Sequence, residues 1–258
     1  MCVDADSRPP IPAISGGALD HQHLTLTAAD GSAVSAFAAR AATPSGAGIL
    51  IVPDVRGLHP FYEELALRFA EHGIHAVAID PFCRSAGTGP RGASFEGMLH
   101  ASRASAAGLA ADIAAGVAHL RSVEGGAAGS LFSIGFCFGG RASLNGSAWG
   151  LGLAGVIGLY GWPVGSRWGT DIPAPTDLAP RMTAPVLGLW GGADAGIPAE
   201  DIAAFEAALR ASGVEHQNVT YPGAPHGFFD RKAADFGDAA ADAWERMLAF
   251  ITAHTGAA

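Results

Sequence analysis

"SIGFCFGG", residues 133–140, decides how this chain is read. It sets Cys137 between Gly135 and Gly139, directly after the apolar run "SLFSIGF" (130–136). A G-x-C-x-G stretch lets the backbone turn sharply from strand to helix, because the two glycines permit close approach at the bend. A residue on such a corner stands out at the edge of a sheet. At a helix N-terminus the open N–H groups and the dipole also favour a thiolate. Glycine supplies 36 of the 258 residues, so a given cysteine meets this flanking pair by chance about 2% of the time. Context must therefore separate a nucleophile from a buried, inert thiol, a common fate for cysteine.

Outward from this point, short apolar runs alternate with helical patterns. "AGILIVPD" (47–54), "IHAVAID" (74–80), "LAGVIGLY" (153–160), "APVLGLW" (184–190) and "HQNVTYP" (216–222) read as strands. Helices are expected over 60–73, which opens on Pro60 and closes on Gly73, over about 105–121, from Phe138, over 199–213 and over 237–254. "HLTLTAADGSAVSAFAAR" reads as a hairpin about Asp30-Gly31 that adds antiparallel strands at one edge. Residues 81–100 read as a long loop, and 161–181 as a Pro/Gly/Trp-rich excursion that serves as a lid or as surface decoration. The expectation is an α/β protein: an N-terminal arm at 1–18, then one domain over 19–258 with a mostly parallel central sheet and helices on both faces.

Composition bounds the function. Apolar residues make up 49% and charged residues 15%, as in a compact globular chain. A net charge of −9 argues against a nucleic-acid surface, which needs clustered Lys and Arg. No apolar run reaches membrane-spanning length, and "MCVDADSRPPIP" lacks the basic-then-apolar pattern of a signal peptide. The odd, sparse set Cys2, Cys83 and Cys137 is no disulfide framework, so a reducing cytoplasm is the expected compartment. His21 and His23 share a strand face without acidic or Cys partners at ligand spacing, and no metal or cofactor is expected.

In such a sheet, ligands bind outside the carboxyl ends of the strands. Asp54, Val55 and Arg56 follow the first parallel strand, and Cys137 and then Tyr160 and Trp162 follow the next two. Asp194 and His226 follow the last two. The order nucleophile, acid, base is that of the α/β-hydrolase triad. His226 would take the thiol proton and Asp194 would orient His226. The backbone N–H of Phe138, with that of Val55, would form an oxyanion hole. Rival readings make His226 a cap for the last helix and Asp194 an N-cap for the helix at 199. Asp54 either supports the thiol or caps the helix after Pro60. Tyr160, Trp162 and Trp168 are candidate pocket residues, and Trp190 is either pocket or core.

Assembled, these residues resemble the dienelactone hydrolase family, cysteine-using members of the α/β-hydrolase superfamily. The likeness runs over about residues 20–252 and is carried by "GFCFGG", "GGAD", "APHGFF" and the block that opens "VPDVRGLHPF". It implies a cofactor-free hydrolase of an ester or lactone, of the carboxymethylenebutenolidase type, working through Cys137, Asp194, His226 and an acyl-enzyme. In that family a glutamate contacts the thiol from the position of Asp54, and arginines hold the substrate carboxylate. One of those arginines lies four residues after the histidine, where this chain has Asp230 with Arg231 beside it. An anionic substrate is therefore left open, with Arg84, Arg91, Arg103 and Arg231 as candidate contacts. A general esterase or thioesterase of different acyl specificity is one alternative. A non-catalytic redox sensor, with Cys83 as resolving thiol, is another. Which ester is cut, and the oligomeric state, are not written in the sequence.

Overall fold

Ala47–Val52 (β3) shows how the chain is organised, because all six of its residues are buried. Ile49 and Ile51 enter one apolar cluster, while Leu50 and Val52 enter another on the opposite face. Alternation with both faces apolar is what a central strand of a covered parallel sheet requires. The computed structural model describes residues 7–230 and 233–256, so Cys2 and Arg231 lie outside the described residues.

The sheet has eight strands in the order β1-β2-β4-β3-β5-β6-β7-β8. Ala18–Thr27 (β1) and Ala33–Ala41 (β2) form the expected hairpin at one edge, with Ala28 N–H to Ser32 O closing its turn at 2.9 Å. β2 pairs antiparallel with His75–Ile79 (β4). From β4 onward every pairing is parallel, through β3, Ser130–Phe136 (β5), Gly155–Leu159 (β6), Val186–Gly191 (β7) and His216–Tyr221 (β8).

Pro60–Glu71 (α1) starts on His59, whose Nδ1 accepts the Phe61 N–H. It ends at Gly73 (φ +82°), where Ile74 N–H reaches back to Phe69 O at 3.0 Å and stops the helix. The 81–100 segment is not a plain loop but holds two short helices, Cys83–Ala86 (α2) and Gly97–Ala101 (α3). Ala106–Arg121 (α4) and Phe138–Gly146 (α5) follow, then Pro175–Leu178 (α6) inside the 161–181 excursion, Ala199–Ala211 (α7) and Gly237–His254 (α8). Phe61 and Phe69 of α1, Phe205 of α7 and Met247 of α8 cover one face of the sheet. Leu109, Ile113 and Val117 of α4, with Phe138 and Ala142 of α5, cover the other. Each such side chain, fully buried, is worth about 1.5–3 kcal/mol of transfer free energy. The two layers fix the strand ends, and with them the loops at the carboxyl edge. Among the described residues, no helix is long and apolar enough to cross a membrane.

Candidate active site

Cys137 sits on the corner between β5 and α5 with φ 56° and ψ −111°. A non-glycine residue there costs on the order of 1–3 kcal/mol and persists only where the surroundings impose it. They do. The Cys137 N–H donates to Leu159 O at 3.0 Å, and Arg141 N–H donates to Cys137 O at 3.2 Å. A Cβ on Gly135 would lie 1.9 Å from Gly139 O, and one on Gly139 would lie 2.0 Å from Val52 O. The glycines of the opening stretch let the first turn of α5 cross the ends of β3 and β5 at contact distance. The amide of Phe138 opens that turn, and the amide of Val55 lies past the end of β3. Among the described residues neither N–H has a hydrogen-bond partner.

The loops after β7 and β8 are tied together by backbone. Gly192 N–H donates to Tyr221 O (2.8 Å) and Ala193 N–H to Ala224 O (2.9 Å). Asp194 and His226 then meet, with the Nδ1–H donating to Asp194 Oδ2 at 2.6 Å. The other carboxylate oxygen accepts the Gly196 N–H at 2.9 Å. With Nδ1 so engaged, Nε2 is the other ring nitrogen, and among the described residues that atom is buried with no hydrogen-bond partner. An imidazole so held can take up a proton at Nε2 while Asp194 stabilises the resulting cation. Neither residue caps a helix: α7 begins on Pro198 and α8 on Phe236, both without side-chain caps.

Cys137, Asp194 and His226 line one cleft of about 740 Å³, a size suited to a small organic molecule. Val55, Trp162 and Trp168 line it as well, together with Met98 and Arg167, which the sequence did not single out. Trp162 and Tyr160 each lie 4.9 Å from the His226 ring, centroid to centroid. The Trp162 Nε1–H donates to Gly196 O at 2.7 Å, and Trp168 stands edge-on to both Trp162 and Phe138. One wall of the cleft thus comes from the 161–181 excursion.

Other expected contacts fall elsewhere. Tyr160 is fully buried, packs against Phe136 and Phe228, and does not line the cleft. Burial, and then the nearby Asp230, Tyr62 and Asp54, push its phenol well above the usual range, so it stays neutral. Asp54 does not cap α1. Its carboxylate accepts the Arg56 backbone N–H (2.8 Å) and is gripped by the Arg56 guanidinium, which also reaches Asp230 at 2.9 Å. The two carboxylates and Arg56 link the loop after β3 to the loop that carries His226. Arg84 is a correction to the sequence reading: it leaves the cleft to pair with Asp30 (2.6 Å) and with the fully buried Asp112 (2.9 Å). Arg91 pairs with Asp80, and neither it nor Arg103 lines the cleft. Trp190 is core, its Nε1–H donating to Asn218. Among the described residues, no three His, Cys, Asp or Glu side chains cluster as a metal site would require.

Comparison with known proteins gives the chain a family. Residues 34–255 match the dienelactone hydrolase family. A relative from Salmonella typhimurium named as a carboxymethylenebutenolidase is 31% identical over 252 residues, covering 96% of this chain and 90% of its own. One from Yersinia pestis with the same name is 31% identical over 209 residues, covering 80% and 78%. The crystal structure of a protein named as a dienelactone hydrolase, from Klebsiella pneumoniae, superposes with a TM-score of 0.79 at 28% identity, covering 90% of this chain and 98% of that one. The match over most of the chain, in sequence and in fold, settles the kinship: this chain is a hydrolase of α/β-hydrolase fold and belongs to the dienelactone hydrolase family.

Proposed function

We propose that the protein cleaves a small ester or lactone by covalent catalysis at Cys137, with residues 19–258 acting as one catalytic domain. The proton of the thiol passes to His226 Nε2 and the sulfur attacks the acyl carbon. The oxyanion that forms is held by the N–H groups of Phe138 and Val55. Collapse breaks the acyl C–O bond, His226 returns its proton to the departing oxygen, and a thioester remains on Cys137. Water then gives a proton to His226 and attacks the thioester carbon; the C–S bond breaks, the carboxylic acid leaves, and His226 returns its proton to the sulfur, restoring the thiol. Asp194 holds the imidazole and offsets its positive charge at each stage. One observation carries the reading: Cys137, on its imposed left-handed corner, and His226, fastened to Asp194 at 2.6 Å, line the same cleft.

The acyl group need not be that of a dienelactone. The position four residues past His226 is Asp230, buried and joined to Arg56, so that position supplies a paired carboxylate where an arginine would hold an anionic substrate. This favours a general esterase or thioesterase specificity as the second reading. A working thiolate also calls for a reducing compartment such as the cytoplasm, and neither Cys83 nor Cys137 forms a disulfide. The redox-sensor alternative has no use for the His226–Asp194 pair.

A burst assay tests the proposal. Mixed with p-nitrophenyl acetate, the wild type should release a rapid first equivalent with acetyl mass on the Cys137 peptide, and then turn over steadily. Cys137→Ala should do neither while keeping its fold. Folded, reduced wild type that acquires no label would sink the reading.

A further inference from the structure

Arg141 is 1% exposed, and no carboxylate among the described residues lies within ion-pair distance of it. Burying a charge without a counter-ion is costly, and a stability role alone is met more cheaply by an apolar side chain. The cost is visible in the guanidinium, which burial, and then the neighbouring Arg167, pull down to about 10 against the opposing pull of the more distant Asp177 carboxylate. Its bonds show what is gained. Nη1 donates to Trp162 O (3.1 Å), and Nη2 donates to Gly165 O (2.7 Å) and Ile172 O (3.0 Å). All three acceptors belong to a stretch with neither helix nor strand, whose carbonyls have no ladder to satisfy them. That stretch carries Trp162, Arg167 and Trp168, the wall of the cleft. Arg141 itself stands one turn along α5 from Cys137, to whose carbonyl its own N–H donates.

We propose that Arg141 is a positioning residue that fixes the Trp162–Trp168 wall against the nucleophile helix and so sets which acyl groups the cleft accepts. The inference rests on the hydrolytic reading above for its catalytic consequence, not for its geometry. The three-carbonyl fork is specific to arginine, because lysine offers a point charge on a flexible stem and cannot span the same acceptors. Through Trp162 the wall also touches His226 and, by way of Gly196, the Asp194 turn.

The test compares wild type, Arg141→Lys and Asn145→Ala. The last is a control that removes a neighbouring bond from α5 to Pro173 O without touching the wall. In Arg141→Lys, hydrogen exchange of amides 164–172 should speed up by about tenfold or more, while β5 and α5 stay protected. Across p-nitrophenyl esters from acetate to benzoate, the ratio of kcat/KM between small and bulky acyl groups should fall by about tenfold, mostly through KM. Alkylation of Cys137 by iodoacetamide should stay within about twofold, since the corner is left alone. Asn145→Ala should keep the wild-type ratio. If Arg141→Lys does not fold, Arg141→Gln, which removes the buried charge, carries the same expectation. Unchanged exchange in 164–172, or an equal slowing of every ester, would overturn the proposal. A wild type that turns over no ester would instead refute the hydrolytic reading, and exchange would still decide whether Arg141 holds the wall.

Discussion

Gly139→Ala tests the physical link between the glycine corner and the chemistry. The added Cβ would lie 2.0 Å from Val52 O, 2.4 Å from Pro53 O and 2.6 Å from Val52 C, all backbone atoms that cannot rotate away. Ordinary contact lies near 3.5 Å, so the first turn of α5 must withdraw from β3 by about 1 Å or more. Overpacking of this kind costs roughly 1–3 kcal/mol, which for a chain of this size lowers Tm by about 3–10 °C. The same movement separates the Phe138 amide from the Val55 amide across the site. A displacement of about 1 Å at reacting groups, or the loss of one oxyanion donor, costs on the order of 100-fold in rate. Thermal unfolding and a stopped-flow burst with p-nitrophenyl acetate should therefore both change. Gly89→Ala, where a Cβ meets nothing within 4 Å, should change neither. A Gly139→Ala protein with wild-type Tm and burst rate would refute the contact argument. Lower Tm with an unaltered burst rate on the folded fraction would sever α5 placement from oxyanion stabilisation.

Two further perturbations separate structural from catalytic side chains. Arg84→Met strands the carboxylate of Asp112, which is fully buried, and should cost about 3 kcal/mol in urea unfolding. Its kcat/KM for esters should stay within about twofold; a selective loss on anionic esters would return Arg84 to the substrate. His59 is held down to about 4, first by burial and then by Arg56, with Asp54 opposing. Unfolded histidine titrates near 6.5, so between these values the unfolded chain binds a proton that the native one refuses, and stability falls as pH drops through this window. His59→Asn keeps a side-chain acceptor for the start of α1 but removes the titration. Its loss of stability from pH 7 to pH 4.5 should be smaller than that of the wild type by about 2 kcal/mol. Equal losses in the two proteins would show that His59 does not carry the linkage.

The strands and their order of appearance were legible because each central strand is a short run buried on both faces, and flanking glycine and proline mark where such a run begins and ends. The corner at Cys137 was legible for a related reason: only glycines tolerate the approach of α5 to β3, so the constraint is written at fixed spacing. Side-chain partners were not. Asp112 sits inside α4 and reads as one more helical acid, yet it is buried against Arg84 from 28 residues away. Asp54 reads either as a support for the thiol or as a cap, but His59 takes the cap, and the Asp54 carboxylate lies against Arg56. The excursion at 161–181 has no periodicity from which to infer its path. It is held by side chains of other elements, Arg141 and Asn145 of α5 among them, and nothing local in the sequence marks these two as partners of a segment 21 to 31 residues on.

This division also assigns labour within the cleft. The residues proposed for chemistry stand on strand ends and on turns locked by backbone hydrogen bonds: Cys137 to Leu159, Ala193 to Ala224, Asp194 to Gly196. Their positions follow from the sheet, and the excursion reaches the last of these bonds through Gly196 O, which accepts from Trp162 and Arg167. The aromatic wall, by contrast, hangs from side-chain bonds of Arg141 and Trp162, which substitution can alter one at a time. A fold arranged in this way can change its substrate without disturbing its nucleophile. The cleft of this chain should therefore differ from those of its relatives chiefly along residues 162–172, and exchange of that segment between family members should carry acyl preference with it.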